Sequence, residues 1–445
     1  GSGGTQWRTD VAAVNHGAAA AAMTLLYTNY DGTVTLQRTH TLPAGQAIEW
    51  PDVLTGLFNL ASSASSKGTL RVETDHAVVL NSRTYNQTTT GTYGQRYPAL
   101  TGVDAIPAST TGVVGQLKKT AGARTNVGAV NLGSSPVTVK IRLFGSSGAQ
   151  AGNVTTLVLP AYRWLQQDDI FTSAAAGTQG IAYATVLVES EGARVWAYGS
   201  VIDTATGDPT TLSLNGTLTQ AFIPSVAHLP GSGGTQWRTD VAAVNRGASA
   251  LTLTLDFTNY DATSLKTRTV PLGARATVEL VDLLTSLFGY GAAESQKGTL
   301  LVTAPSAVHL TSRTYNQTSK GTYGQYYPAL GATHAIPAGT VAVIPQLRKN
   351  AAYRTNIGVQ NMSATSVLVD VKLIGANGLQ LGKTKTFNLP ARRWLQQDDI
   401  FVTSNAGSAE TAYATVEVRT GGGLVWAYAS VIDVRTGDPT TIPAL

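Results

Sequence analysis

The chain has 445 residues, 43% of them apolar but only 13% charged, with a net charge of +5, 46 Gly and no Cys. That length allows roughly three or four ordinary domains, and charged residues stand at about half their usual share of roughly 25%. Thiol catalysis, disulfides and thiolate metal sites are excluded. A nucleic-acid footprint is not expected either, because the densest basic spots, "LKK" at 117–119 and "LRK" at 347–349, are too narrow to neutralise several phosphates together.

No apolar run approaches the ~20 residues of a membrane helix, so no membrane insertion is expected. A thinly charged, hydroxyl-rich surface is more typical of secreted and cell-surface proteins, and an extracellular or cell-surface location is the expectation. The chain opens on Gly instead of Met and shows no signal peptide, as expected of a processed form or a piece of a longer protein.

The first element is "RTDVAAVN" at 8–15, which returns unchanged at 238–245, with cousins "RTNVGAVN" at 124–131 and "RTNIGVQN" at 354–361. A shift of 230 positions aligns residues 1–215 with 231–445 without a gap, with roughly 55% of positions identical. Within each half the Arg-Thr phrase recurs again, marking an older duplication. The expected layout is four repeats, at 1–102, 103–212, 213–332 and 333–445, arranged as two duplicated double units.

Each repeat reads as β. Apolar and polar residues alternate in the Arg-Thr phrase, in "MTLLYTNY" (23–30) and most clearly in "VTVKIRLFG" (137–145), the period of a half-buried strand. "GTLRVE" (68–73), "AVVLNSRTYN" (77–86), "YATVLVE" (183–189) and "VWAYGSVID" (195–203) continue the pattern, with turn signals such as "YDG" and "ANG" between strands. About seven short strands per repeat predict an all-β fold of four tandem immunoglobulin-like β-sandwiches. One helical turn interrupts each: in "PDVLTGLFNL" and "VDLLTSLFGY", Asp52 and Asp282 read as N-caps, with Asp169 and Asp399 equivalent to them.

Repeats are expected to open on an "IP" strand, in "AIPASTTGVVGQL" (105–117), "FIPSVAHLP" (222–230) and "AIPAGTVAVIPQL" (335–347). Gly1 aligns with Gly231, just beyond that segment, so repeat 1 has no counterpart in the sequence. The missing element is read as trimming, disorder, or a groove that accepts a strand from elsewhere.

Candidate sites are few. Arg8, Arg124, Arg238 and Arg354 recur in every repeat, which points to a bond tying strand to loop within the repeat, since a single ligand would not require all four. Asn15, Asn131, Asn245 and Asn361 close the phrase as turn starters. Asp168 and Asp169 in "RWLQQDDIF" raise glycoside hydrolysis, but adjacent carboxylates point apart and the reaction needs them facing one bond. Asp203 and Asp208, with Asp433 and Asp438, flank a Gly-containing turn and are weak Ca²⁺ candidates, without EF-hand spacing.

The best candidate for ligand or interface contact is "SRTYNQTTTGTYGQRYPAL" (82–100) with its twin at 312–330. It carries Tyr85, Asn86, Gln87, Tyr93, Gln95 and Tyr97, matched by Tyr315, Asn316, Gln317, Tyr323, Gln325 and Tyr327. Tyrosine suits both protein interfaces and sugar faces. The competing reading packs this segment at the junction of repeats 1 and 2, and of 3 and 4.

The six His residues do not repeat and form no H-x-x-x-H pair, and no G-x-S-x-G, Walker or dinucleotide-binding context occurs, so no cofactor is implied. N-x-S/T triplets stand at Asn86, Asn153, Asn215, Asn316 and Asn361.

The pattern "IPA…GQL…RTNVGAVN…VTVKIRLFG…LP" and the ending "VWAYASVIDVRTGDPTTIPAL" resemble tandem β-sandwich modules of large secreted bacterial proteins, over essentially the whole chain. The resemblance implies an extracellular, non-catalytic role and transfers no catalytic residue. The expected function is structural or adhesive, with head-to-tail self-association by strand addition at repeat 1. The alternative is a carbohydrate-binding region of a secreted hydrolase, with surface glycans as partners.

Overall fold

In the computed structural model, residues 5–63, 65–214, 216–231, 234–419 and 423–445 are described. Asn215 lies outside them. The fold is all-β, built from antiparallel sheets that face each other across apolar cores.

Repeat 2 shows how the alternating strands are used. One sheet runs in the order Trp164–Gln167, Ala123–Asn131, Arg194–Asp203, Pro209–Ser213. The other runs Gln150–Leu159, Val137–Gly145, Gln179–Val188, Thr111–Lys119. Burial along Val137–Gly145 alternates strictly, sending Val137, Val139, Ile141 and Leu143 into the core, as its period of two requires. Repeat 4 reproduces both sheets. In repeat 3 one long strand, Gln296–Thr318, passes through both layers, pairing first with Leu251–Asn259 and then with Gln236–Val244.

Two details differ from the sequence reading. Ile106–Pro107 and Ile336–Pro337 are two-residue strands that pair with Arg194–Asp203 and Leu424–Asp433. The strand leading each repeat is instead Thr111–Lys119, Leu218–Pro230 or Val341–Lys349, so Ile223-Pro224 corresponds to Ile344-Pro345. Identical dipeptides a few residues apart misled the alignment.

The four Asp residues do stand at the N-cap positions of the helical turns, but they do not cap them through their side chains. Asp52, Asp169, Asp282 and Asp399 sit in the left-handed region, φ 39° to 42°, and none makes a side-chain cap bond. Helices of four residues offer little dipole to cap, and each carboxylate takes a basic side chain instead: Arg8 at 3.1 Å, Lys119 at 2.5 Å, His228 at 2.8 Å and Lys349 at 2.5 Å respectively.

The chain divides into two compact units: Gly1–Ala99 with Ala332–Leu445, and Leu100–Gly331. The expected packing of repeat 1 on 2 and of 3 on 4 is therefore corrected. Repeat 1 packs on repeat 4, and repeat 2 on repeat 3. Odd repeats carry the tyrosine hairpin and even repeats the Asp turn, and the turn of repeat 2 is taken by the hairpin of repeat 3.

Candidate functional site: an inter-repeat clamp and an open sheet edge

The tyrosine segment folds as a hairpin, Val79–Thr88 with Gly91–Pro98 in repeat 1. Its tip docks on the "VIDVRTGDPT" turn of repeat 4. Thr92 donates to Asp433 Oδ2 from both its N–H and its hydroxyl, each at 2.9 Å, and Gly94 N–H donates to Asp438 Oδ2 at 2.9 Å. Arg83 Nε reaches Thr440 Oγ1 at 2.8 Å and its Nη2 reaches Asp438 at 3.4 Å, while Thr436 Oγ1 donates to Thr92 O at 3.0 Å. Gly91 must be glycine: φ is +141°, and a Cβ would lie 2.7 Å from Thr436 Cγ2.

The second unit repeats this clamp, with Arg313 Nη2 farther from its carboxylate, 3.8 Å from Asp208. Thr322 donates twice to Asp203, Gly324 N–H donates to Asp208 at 2.8 Å, and Arg313 Nε reaches Thr210 at 2.8 Å. Burial raises the Asp203 carboxyl, but the Thr322 N–H and hydroxyl, with the N–H groups of Thr206 and Ala205, together hold the group below its ordinary value. Asp438 is pushed the other way: full burial raises it, with Arg83 opposing. All four weak Ca²⁺ candidates thus receive N–H or hydroxyl donors. Among the described residues no cluster of three or more His, Asp or Glu is placed to hold a metal ion.

A buried charge network lies beside each clamp, and the sequence reading missed it. Arg348, from the leading strand of repeat 4, pairs with Glu49 and, at 3.5 Å, with Asp10 of repeat 1. Gln346 Nε2 donates to Glu49 at 2.9 Å, and Tyr85 OH donates to Asp10 at 3.0 Å. In the other unit Lys118 pairs with Glu279 at 2.7 Å, and Tyr315 donates to Asp240 at 3.1 Å. Burial raises Glu49 and Asp240, with Arg348 and Lys118 opposing, and burial beside Asp10 or Asp240 raises Tyr85 and Tyr315. The signal was the pair of adjacent cations in "LKK" and "LRK": the first crosses to the docked repeat, the second stays on its own helical-turn Asp.

None of the candidate tyrosines is exposed. Tyr85, Tyr315 and Tyr327 are buried, and Tyr93, Tyr97 and Tyr323 are half-buried. Asn86 and Asn316 accept the N–H groups of Gln6 and Gln236, Gln95 and Gln325 are buried, and only Gln87 and Gln317 face solvent. A sugar-stacking platform needs accessible ring faces, and the guanidinium carbons of Arg83 and Arg313 already lie 4.8 Å above Tyr85 and Tyr315.

The recurring arginines all reach their own helical-turn loop. Arg8 and Arg238 bind Asp52 and Asp282 directly, at 3.1 and 3.4 Å. Arg124 and Arg354 act through Asn126 and Asn356, whose carbonyls accept the N–H of Asp169 and Asp399. Asp168 is exposed with Gln166 on it, while Asp169 is held by Lys119 and Thr172, so the two carboxylates serve separate local bonds.

Among the described residues the second sheet of repeat 1 has three strands, Thr35–Leu42, Ala21–Asn29 and Gly68–Thr74. Gly68–Thr74 pairs with Ala21–Asn29 alone, and among the described residues no strand covers its other edge. The equivalent edge is covered by the leading strand in repeats 2, 3 and 4.

No protein family and no curated protein matches the chain. Solved structures align loosely. A T13 IBDV viral particle aligns at 8% identity over 77% of this chain and 75% of that one, TM-score 0.17. An anti-sigma factor domain-containing protein aligns at 7% over 75% and 82%, TM-score 0.12. A glycoside hydrolase family 32 protein from Bifidobacterium adolescentis aligns at 10% over 99% and 98%, TM-score 0.16. Likenesses this distant carry no functional argument.

Proposed function

We propose that this chain is a non-catalytic, extracellular structural or adhesive repeat protein that assembles head to tail, through repeat docking and strand addition at repeat 1. The observation that carries the reading is the duplicated clamp. The same Thr, Gly and Arg groups dock on the same Asp turn whether the two repeats follow one another in sequence, as 2 and 3 do, or stand more than 300 positions apart, as Thr92 and Asp433 do. Docking is thus encoded in complementary surfaces and not in the connection. Repeat 4 of one copy can receive repeat 1 of another, a heterologous contact that propagates when it does not close on itself. The thinly charged, hydroxyl-rich composition fits an exterior location. The most strongly repeated polar residues are occupied with folding and docking, which favours structure over chemistry.

Negative-stain microscopy and mass photometry of the full chain, before and after a partial-unfolding and refolding cycle at high concentration, test this. Linear multimers are expected, and they should shorten in Arg83→Ala. A single-chain mass under every condition would sink the reading.

A further inference from the structure

We propose that the open edge of repeat 1 is a receptor for an extended peptide with aliphatic residues at positions n and n+3 and a Lys or His at n+5. The pattern comes from the three complete repeats, whose leading strands share it: Val114, Leu117 and Lys119; Ile223, Val226 and His228; Ile344, Leu347 and Lys349. The six aliphatic side chains are all fully buried in their cores. It rests on the reading that repeat 1 is completed by an added strand, and it specifies that strand.

Repeat 3 supplies the template, being repeat 1 displaced by 230 positions. There Leu300, Val302, Val308 and Leu310 are at most 2% exposed beneath Ile223 and Val226. Their counterparts Leu70, Val72, Val78 and Leu80 are only half-buried. Leu229 pairs with Trp237, which is half-buried, whereas Trp7 is 38% exposed. One apolar strip along the edge of repeat 1 therefore faces solvent where its twin is covered.

The polar anchors are in place as well. In each complete repeat the basic side chain at n+5 binds the helical-turn Asp: Lys119 on Asp169, His228 on Asp282, Lys349 on Asp399. The residue before it hydrogen-bonds through its backbone to the Thr of the Arg-Thr phrase, at Thr125, Thr239 and Thr355. Repeat 1 keeps both receptors, Asp52 and Thr9. Asp52 is held by Arg8, whose Nη2 also reaches Ser62 O at 3.5 Å. Ser62 is the counterpart of Ala292, whose carbonyl lies 3.1 Å from His228 Nε2. The backbone edge supplies affinity, the two aliphatic positions set the register, and Asp52 selects the cation.

The probe is a synthetic peptide with the sequence of residues 217–230, titrated into the full chain, with hydrogen exchange read by mass spectrometry. Saturable binding that protects Gly68–Thr74 and the Trp7 end of Trp7–Val14 is expected. A peptide with Ile223→Asp and Val226→Asp should not bind. Asp52→Asn in the chain should weaken binding at least about tenfold. Thr9→Val serves as a second variant, with unchanged protection of Ala21–Asn29 showing that repeat 1 remains folded. No saturable binding, or protection confined to Gln296–Thr318 through displacement of the resident strand, overturns the proposal. Head-to-tail docking is read separately from the mass of the full chain, so multimers without peptide binding would remove the receptor and leave the docking, and the reverse result would do the opposite.

Discussion

Repeats 1 and 3 carry nearly the same strands, turns and core letters, yet they are packed differently. Leu300 is fully buried and Leu70, its exact counterpart by sequence, is not. The difference does not lie in either leucine. It lies in the neighbouring edge, which Leu218–Pro230 covers in repeat 3 and no strand covers in repeat 1 among the described residues. Burial in a sandwich belongs to the whole set of strands, so two similar stretches can be a closed core in one place and an accepting surface in another.

The largest expected effect breaks or upholds this comparison directly. Leu300→Ala should cost about 2–5 kcal/mol, because it removes buried methyl groups and leaves a cavity in a packed core. Leu70→Ala should cost clearly less, since its side chain already meets water. Native-state hydrogen exchange resolves the two repeats separately, which a single denaturation midpoint for a two-unit chain does not. Equal losses at the two positions would mean that the edge of repeat 1 is covered in solution.

The strands themselves were legible because alternation is a local property. Val137–Gly145 buries every second residue, as written. The Arg-Thr bonds were legible in kind, since fourfold recurrence points to a local partner, though not in detail: Arg8 meets an Asp and Arg124 an Asn. What sequence did not disclose was which repeat faces which. Asp433 and Thr92 stand in segments that look alike in both halves, and nothing local states that hairpin 1 takes the turn of repeat 4. The Asp10–Glu49–Arg348 network was hidden for the same reason: its members are scattered over three strands and more than 300 positions, and only docking brings them together.

The clamp gives the next effect in size. Arg83→Ala removes the guanidinium from Thr440 and Asp438, leaving Asp438 with the Gly94 N–H, and should cost about 1–3 kcal/mol, with Arg313→Ala similar in the other unit. The pH dependence has a definite sign. Asp438 ionises near 3.8 when unfolded, and burial raises it in the folded chain, so the folded state holds a proton that the unfolded state has lost. Its contribution is therefore intact below 3.8 and declines as pH rises through the raised folded value. Asp438→Asn keeps a carbonyl to accept from Gly94 and puts its amide nitrogen where the carboxylate's Oδ1 stands, an oxygen without a hydrogen-bond partner among the described residues. Urea midpoints measured from pH 4 to 8 should fall with pH in the parent chain and stay flatter in this variant. A parent chain whose stability rises over that window contradicts the assignment.

The smallest effect sharpens the comparison between repeats 1 and 3 most finely. Arg8 is the ion-pair partner of Asp52, whereas Asp282 is shared between Arg238 and His228, whose Nδ1 lies 2.9 and 2.8 Å from the two carboxylate oxygens. Both arginines are partly exposed, so neither pair is worth more than about 1 kcal/mol. Arg8→Ala removes the cation of its loop, while Arg238→Ala leaves the imidazole in place. Local exchange at Val53–Gly56 should therefore accelerate more in the first variant than exchange at Leu283–Ser286 does in the second. Adding the peptide of residues 217–230 to Arg8→Ala should restore protection, because its histidine would stand on Asp52 as His228 stands on Asp282. If the two arginines prove interchangeable in exchange, the leading strand contributes nothing to the Asp loop, and the cation position drops out of the recognition pattern.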